Sequence, residues 1–341
     1  MLTRALVLAA LLAGLAPKTT PPGSFLPGER VLLDAHNAYP DQGRWADRLE
    51  RALATGVPLA IEQDLAWCRT STGWFEPVVT HEKTCRGGEP TLRTHFFERI
   101  RPMMEQALDG GARGHWPLVT LNLDFKTNEP EHHAAVWALL GRYSTWLTTA
   151  MRSADPDAAT HLTVGPLLVL TGDHDLQEAA FFGRVPVGGQ LRLFGAARTI
   201  GGGDTGEPPR PAGRTAYRRW WNLPWREVEP GGPPEAGGWS ADDAGRLRAI
   251  VEAGHADGLW VRFYTLNGHP ADRSDGWHDG YNFGSTEAAA IRWRAAIAAG
   301  VDFIATDQYE AFAEVLTETR RTARRRQHDA GGRGRAEMLT P

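Results

Sequence analysis

Lysine is almost missing from this chain of 341 residues, in which Lys18, Lys83 and Lys126 are the only lysines among 37 basic residues. Arginine is therefore the default cation, and a retained lysine indicates a position that needs a compact point charge. The basic and acidic residues nearly balance, with a formal net charge of −4. Such a balance argues against nucleic acid as the main partner.

Long apolar runs are absent after the first residues, which excludes a later membrane helix. The stretch MLTRALVLAALLAGLAPKTT has one early arginine and then an apolar run typical of a secretory signal. We predict a signal peptide over residues 1–20, a Pro/Gly-rich linker over 21–30, and a secreted or extracytoplasmic location.

Cysteine is also scarce, with Cys68 and Cys85 as the only two. They flank a short loop that contains His81, and an exported protein meets an oxidising compartment. We therefore predict a Cys68–Cys85 disulfide, the alternative being two free thiols.

Apolar strand patterns alternate with helical patterns along the rest of the chain, for example PLVTLNLDFK followed by a helical pattern over 131–151. About eight such units over residues 31–326 predict a parallel α/β fold, a (β/α)₈ TIM barrel. An open doubly wound sheet is the alternative, but no glycine-rich phosphate loop follows the first strand. A Gly/Pro-rich loop insertion interrupts the rhythm around 195–240, and a basic tail over 327–341 is expected to be disordered.

Polar residues recur where the predicted strands end, and in such barrels these ends carry the chemistry. Because several ends place histidines and acids at the same side, they predict one cavity. The residues concerned are His36, Asn37, Glu62, Asp64, His81, Asp124, Lys126, Thr265, Asn267, Thr306 and Asp307.

Three of these residues, Glu62, Asp64 and Asp124, form an all-oxygen set suited to one hard divalent cation, Mg²⁺ or Ca²⁺. Two histidines beside it can remove and donate protons, and Lys126 can stabilise an anionic transition state. The alternatives are structural: Glu62 and Asp64 could pair with interior arginines, and Asp124 could pair with Lys126. We expect His132 and His133 to lie on a solvated helix face.

Two further absences limit the chemistry. No GxSxG motif occurs, so a serine nucleophile on a strand-to-helix turn is not indicated. No dense histidine cluster occurs, which argues against a zinc hydrolase. A divalent cation, a histidine pair and a lysine together point to a phosphate ester.

Six segments in order resemble the successive motifs of the PLC-like phosphodiesterases: DAHNAYP, IEQDLAW, VVTHEKT, LNLDFKT, WVRFYTLN and GVDFIATDQYE. This superfamily includes glycerophosphodiester phosphodiesterases, phosphatidylinositol-specific phospholipases C and sphingomyelinase D-like enzymes. The resemblance covers about residues 31–312. No single motif is specific, but their order and spacing are.

The resemblance implies a TIM barrel in which His36 and His81 are the acid/base pair. It implies that Glu62, Asp64 and Asp124 bind the metal, and that Lys126 and Asn37 contact the substrate phosphate. Three departures leave the subfamily open. Asn37 stands where glycerophosphodiesterases usually have arginine, Asp124 where they have glutamate, and Glu82 where aspartate usually follows the second histidine.

We therefore expect a secreted, metal-dependent enzyme that cleaves a glycerophosphodiester or a phospholipid headgroup ester. We expect a monomer with possible peripheral membrane contact and no nucleic-acid partner. The alternatives are a non-catalytic binding protein on the same barrel and a glycoside hydrolase with two acids.

Overall fold

A computed structural model describes residues 25–110, 113–203, 206–270 and 279–337. Short strands and helices alternate along them. The strands are β1 Leu32–Ala35, β2 Leu59–Arg69, β3 Phe75–Val79, β4 Val119–Phe125, β5 Thr149–Met151, β6 Leu162–Thr163, β7 Leu167–Thr171, β8 Gln190–Leu191, β9 Phe194–Ala196, β10 Thr199–Ile200, β11 Arg210–Pro211, β12 Arg218–Pro224, β13 Trp260–Tyr264 and β14 Phe303–Thr306. The predicted signal peptide lies outside the described residues.

Eight of these strands close into a parallel barrel, in the order β1, β2, β4, β7, β9, β12, β13 and β14. The pairing of Asp34 with Ala60 joins β1 to β2, and the pairing of Asp34 with Ala305 joins β1 to β14. The ring therefore has no free edge. The predicted (β/α)₈ barrel is confirmed.

The helices surround this ring and cover its apolar outer face. They are α1 Arg48–Ala54, α2 Glu98–Gly110, α3 Pro130–Arg142, α4 Asp175–Glu178, α5 Ala241–Ala256, α6 Thr286–Ala299 and α7 Tyr309–Glu337. Barrel strands such as β4 and β7 are almost fully buried because helices cover one face and the barrel interior the other. Among the described residues, no helix is long and apolar enough to cross a membrane.

The connection from β9 to β12 has no α-helix in its described residues. The antiparallel pair β10–β11 lies there beside α5. Trp221, on the outer face of β12, donates its indole N–H to Thr199 Oγ1 over 2.9 Å. The predicted Gly/Pro-rich insertion around 195–240 lies here, and it includes the pair β10–β11 and the barrel strand β12. The tryptophan-rich sequence of β12 outweighs the surrounding glycines and prolines.

Two helix bounds differ from the sequence prediction. The helix predicted over 131–151 ends at Arg142, and the chain returns as the short strand β5. The closing helix α7 runs to Glu337, so the backbone over 327–337 is helical where a disordered tail is predicted. Proline is absent from this stretch until Pro341, so the helix that packs on the barrel can propagate through it.

The end of the barrel at which the strands begin, here called the bottom, is covered by the segment 25–30. Phe25 packs its ring 4.6 Å from that of Trp260, and Gly28 donates its N–H to Asp302 Oδ1 over 2.7 Å. Arg30 donates to the carbonyl of His115. Part of the predicted linker is therefore bound to the barrel.

The opposite end, here called the mouth, carries a disulfide-linked hairpin. Beyond its pairing with β4, the strand β2 continues and pairs antiparallel with β3. The predicted disulfide joins Cys68 on β2 to Cys85, 17 residues later. The loop that contains His81 lies inside this covalent ring, so the ring restricts where His81 can move.

Replacing both cysteines, as Cys68→Ser with Cys85→Ser, should lower the free energy of unfolding by about 3 kcal/mol, because the unfolded chain regains the entropy of the open loop. Denaturant unfolding of the purified oxidised protein measures this change. The matched control is the wild-type protein after reduction, which should show the same loss. Equal stability of all three samples would contradict a stabilising effect of the disulfide.

Candidate active site

A polar cavity of about 280 Å³ opens at the mouth of the barrel. Its walls come from the ends of several strands and from the loops that follow them, as expected for this fold. The lining residues are His36, Asn37, Glu62, Asp64, His81, Asn122, Leu123, Asp124, Lys126, Gly172, Asp173, Asn222, Arg262, Tyr264 and Tyr281. All seven residues predicted to act in catalysis, metal binding or phosphate contact are among them.

The three predicted metal ligands lie together. Glu62 and Asp64 are two residues apart on β2, so both point into the barrel, and Asp64 is in register with Asp124 on β4. One carboxylate oxygen from each of the three lies within 4.8 Å of the others. Glu62 and Asp64 are buried, whereas the Asp124 side chain is 48% exposed.

Lys126 lies directly against two of these acids. Its Nζ atom is 2.7 Å from Asp64 Oδ2 and 2.7 Å from Asp124 Oδ2, and its side chain is only 19% exposed. Burial lowers the pKa of Lys126, but the two carboxylates outweigh burial and raise it. The ammonium group is therefore a firmly charged bridge between Asp64 and Asp124.

Glu62 is tied to the barrel interior. Arg262, on β13, donates to Glu62 Oε1 over 3.1 Å and to Asn222 Oδ1 over 2.9 Å, and its Nε group donates to Asp34. The structural alternative for Glu62, pairing with an interior arginine, is thus present alongside its place in the acidic cluster. Arg262 is a residue that sequence reasoning missed, although an arginine inside the apolar run WVRFY is a signal for it.

The acids strongly affect one another. Burial raises the pKa of Asp64, the charge of Asp124 raises it further, and Lys126 opposes both, with a resulting pKa of about 7. Burial and the neighbouring carboxylates together therefore outweigh the charge of the one lysine. This donor set, three carboxylates and no sulfur, fits a hard divalent cation such as Mg²⁺ or Ca²⁺.

His36 is held by the carboxylate of Asp307, a residue for which the sequence predicts a place at a strand end but no role. The Nδ1 atom of His36 lies 2.9 Å from Asp307 Oδ1, and its Nε2 atom lies 3.3 Å from Glu62 Oε2. Burial lowers the pKa of His36, but Glu62 and Asp307 outweigh it and raise the pKa. Asp307 thus orients the imidazole ring and stabilises its charged form.

Asp307 is itself fixed in place. It follows β14 directly, and Asn267 donates its amide N–H to Asp307 Oδ2 over 3.1 Å. Arg48, from the first turn of α1, lies 3.5 Å from Asp307 Oδ1. These partners hold the carboxylate at the mouth although it is almost fully buried.

Asn37 lines the cavity, but its side chain is engaged with protein groups. Its Nδ2 atom lies 2.8 Å from His36 Nδ1, and its Oδ1 atom lies 2.7 Å from the hydroxyl of Tyr39. The same hydroxyl lies 2.6 Å from Asp64 Oδ2. The backbone of Asn37 is left-handed (φ 52°), and the backbone N–H of Asn37 donates to Glu62 Oε2 over 3.3 Å. These contacts indicate a positioning role, and phosphate contact by Asn37 stays a prediction.

His81 approaches the acids from the disulfide-linked loop. Its Nε2 atom is 4.0 Å from Asp64 Oδ2, and its side chain is 42% exposed. Burial and the nearby charge of Lys126 lower the pKa of His81. The two histidines of the cavity therefore have pKa values shifted in opposite directions, a pattern that suits an acid/base pair.

His132 and His133, predicted on a solvated helix face, are buried instead. His132 stacks on Trp67 of the hairpin strand β2, with ring centroids 5.6 Å apart, and both histidines pack edge-on against Phe125. The prediction was wrong because the extended hairpin covers the first turn of α3, which the sequence pattern does not reveal.

A larger cavity of about 580 Å³ lies on the flank of the barrel, next to His133, Trp137 and Arg192. None of the acids of the cluster lines it. The smaller cavity is the candidate active site, because it contains the convergent titratable groups.

No protein-family model matches this chain, and no curated protein sequence matches it. Solved structures similar to it include a glycerophosphoryl diester phosphodiesterase from Parabacteroides distasonis. That similarity has 15% identity, covers 85% of this chain and 87% of the other, and has a TM-score of 0.41.

A calcium-dependent phosphoinositol-specific phospholipase C from Pseudomonas sp. is similar at 12% identity over 85% of this chain and 93% of the other, with a TM-score of 0.47. A dihydropteroate synthase from Burkholderia cenocepacia is similar at 15% identity over 89% and 100%, with a TM-score of 0.33. Because these sequence identities and TM-scores are low, the function of this chain has to be inferred from the geometry of the site itself.

Replacing Asp307 with asparagine should lower the pKa of His36, because the imidazolium loses the carboxylate that accepts from its Nδ1 atom. Nuclear magnetic resonance titration of ¹⁵N-histidine-labelled protein measures this midpoint and the tautomer of the ring. The matched control is Asp302→Asn, at the other end of β14, where Asp302 Oδ2 lies 2.8 Å from His255 Nε2. This control removes a carboxylate beside a different histidine and should leave the titration of His36 unchanged. An unchanged His36 in Asp307→Asn would exclude the orienting role.

Proposed function

We propose that this protein is an extracytoplasmic, metal-dependent phosphodiesterase of the PLC-like type. Its substrate would be a glycerophosphodiester or a phospholipid headgroup ester. One observation carries the proposal: two histidines, three carboxylates and a lysine line a single cavity of about 280 Å³ at the mouth of a (β/α)₈ barrel. The order of the sequence motifs, which resembles that of PLC-like phosphodiesterases, supports the same function.

The three carboxylates would hold the cation. A divalent cation bound by Glu62, Asp64 and Asp124 would supply Lewis-acid stabilisation of the phosphoryl oxygens. Lys126 would add a second positive charge on the same oxygens, because its ammonium group lies beside Asp64 and Asp124 inside the cavity. Arg262 keeps Glu62 in place from below.

The two histidines would carry out the proton transfers. One takes the proton from the attacking hydroxyl, which belongs to water or to the substrate, and a new phosphorus–oxygen bond forms. As the bond from phosphorus to the leaving alcohol breaks, the other histidine donates a proton to that oxygen. Asp307 and Asn37 would hold His36 for this step, and the disulfide ring would hold the loop of His81.

The two rival functions fit the geometry less well. A glycosidase places two carboxyl groups on either side of the sugar bond, roughly 5 Å or more apart. Here one oxygen from each of Glu62, Asp64 and Asp124 lies within 4.8 Å of the others, and Asp64 and Asp124 share one ammonium group, so the acids surround a single point. A binding protein without turnover would not need a histidine held by a buried carboxylate.

Export is part of the proposal and rests on two features. One is the signal-like sequence of residues 1–20, and the other is the Cys68–Cys85 disulfide, which an oxidising compartment favours. A monomeric state and peripheral membrane contact stay predictions.

The test is a panel of glycerophosphodiesters, phospholipids and chromogenic glycosides, assayed after removal of metal with EDTA and after addition of Ca²⁺ or Mg²⁺. We expect phosphodiester cleavage only with added cation. Asp64→Asn should reduce kcat on the order of 10²-fold or more, because the cation loses a ligand at the reacting phosphate. Full activity in excess chelator would refute the metal assignment, and sugar release would favour the glycosidase.

Lys126→Arg should also lose much of kcat, although the charge is kept. The longer planar guanidinium cannot replace a compact ammonium placed between Asp64 and Asp124. Lys126→Ala should lose more, on the order of 10²-fold or greater. Steady-state kinetics on the best substrate of the panel measures both. Lys83→Arg, on the exposed loop after His81, is the matched control and should be silent. A silent Lys126→Arg would make Lys126 a structural partner of Asp124.

A further inference from the structure

We propose that Lys126 is a built-in competitor of the metal ion, and that its release from the acids makes cation and phosphodiester bind cooperatively. Without the cation, its ammonium group occupies the carboxylates that the cation needs. With the cation bound, Lys126 loses these partners and becomes available for the phosphate. This inference rests on the proposed function and adds a coupling between its two ligands.

The position of the ammonium group is the first observation. Its nitrogen contacts one oxygen of Asp64 and one of Asp124, both at 2.7 Å, and these residues supply two of the three candidate ligands. A bound Ca²⁺ would lie about 2.3–2.6 Å from the same carboxylate oxygens. A cation and the ammonium nitrogen that both contact the same carboxylate oxygen would be at most about 5 Å apart. Because both are positively charged, they would repel each other.

The balance of charge in the cavity is the second observation. Among the described residues, four carboxylates line it, those of Glu62, Asp64, Asp124 and Asp173, whereas the permanent cations that line it are Lys126 and Arg262. This excess of negative charge would repel a phosphodiester, which carries one negative charge itself. A divalent cation removes the excess, so the anionic substrate is favoured only afterwards.

The third observation is that both ion pairs of Lys126 among the described residues are with candidate metal ligands, Asp64 and Asp124. Arg262 differs, because Asp34 holds it from inside the barrel. An ammonium group displaced from Asp64 and Asp124 therefore stays in the cavity and needs a new anion. The substrate phosphate is the anion that the proposed reaction brings there.

Coupling of this kind is reciprocal, so a phosphodiester must tighten cation binding by the same factor as the cation tightens phosphodiester binding. Isothermal titration calorimetry of Mg²⁺ and Ca²⁺ into chelator-treated protein measures this without turnover. Dimethyl phosphate serves as the probe. For the wild-type protein we expect the probe to tighten cation binding about five-fold or more.

Lys126→Met keeps the aliphatic stem and removes the charge. It should bind the cation about ten-fold more tightly than wild type without the probe, and the effect of the probe should shrink several-fold. Lys126→Gln, which keeps a polar N–H donor but removes the charge, provides a second variant with the same expected result if Lys126→Met does not fold. Lys83→Met is the matched control and should leave cation affinity and the effect of the probe unchanged.

Equal cation affinity in wild type and Lys126→Met, or an equal effect of the probe in both, would overturn the competition and leave the proposed function intact. Absence of the probe effect from the wild-type protein would also overturn it. If neither protein binds a cation with or without the probe, the metal site itself fails, and the proposed function fails with it.

Discussion

Negative charge buried at one end of the barrel is the constraint on which the rest of the structure depends. Carboxylates removed from water repel one another and are stable only with positive groups between them. The buried acids that contribute to this charge include Asp34, Glu62, Asp64 and Asp307. Three cations lie among them: Arg262 holds Asp34 and Glu62, Lys126 holds Asp64, and Arg48 lies beside Asp307.

These ion pairs connect the acids that line the cavity at the mouth to residues inside the barrel. Arg262 connects β13 to Glu62 on β2 through the centre of the barrel, so strands that are far apart in the ring are joined by charge as well as by backbone pairing. Arg262 holds one carboxylate oxygen of Glu62, and the other oxygen, Oε2, lies near His36 and the N–H of Asn37. Protein groups therefore fix both carboxylate oxygens of Glu62 in place.

The sequence predicts the barrel well because its signals are local and repeated. Apolar strands, helical patterns and turn residues recur in each unit, and the polar residues at strand ends then fall at one mouth by topology alone. Glu62, Asp64, Asp124, His36 and His81 converge for this reason. The connection between β9 and β12 differs: its glycines and prolines indicate an interruption, but they do not predict the antiparallel pair β10–β11 found in its described residues.

Contacts between distant residues are what the sequence could not predict. Asp307 pairs with His36 across 271 positions, and Arg262 reaches Glu62 across 200. The sequence shows each as one charged residue beside or within an apolar strand, without its partner. The burial of His132 could not be predicted for the same reason. It depends on contact with a hairpin that extends from the barrel and lies over α3.

The segment that covers the bottom of the barrel has a consequence for how the molecule can be oriented. Phe25 and Gly28 bind at the ends where β13 and β14 begin, whereas the cavity opens where these strands finish. The chain before residue 25 therefore joins the folded body on the side away from the cavity. An affinity handle or surface tether attached through that stretch would hold the molecule by its bottom, with the mouth facing outward.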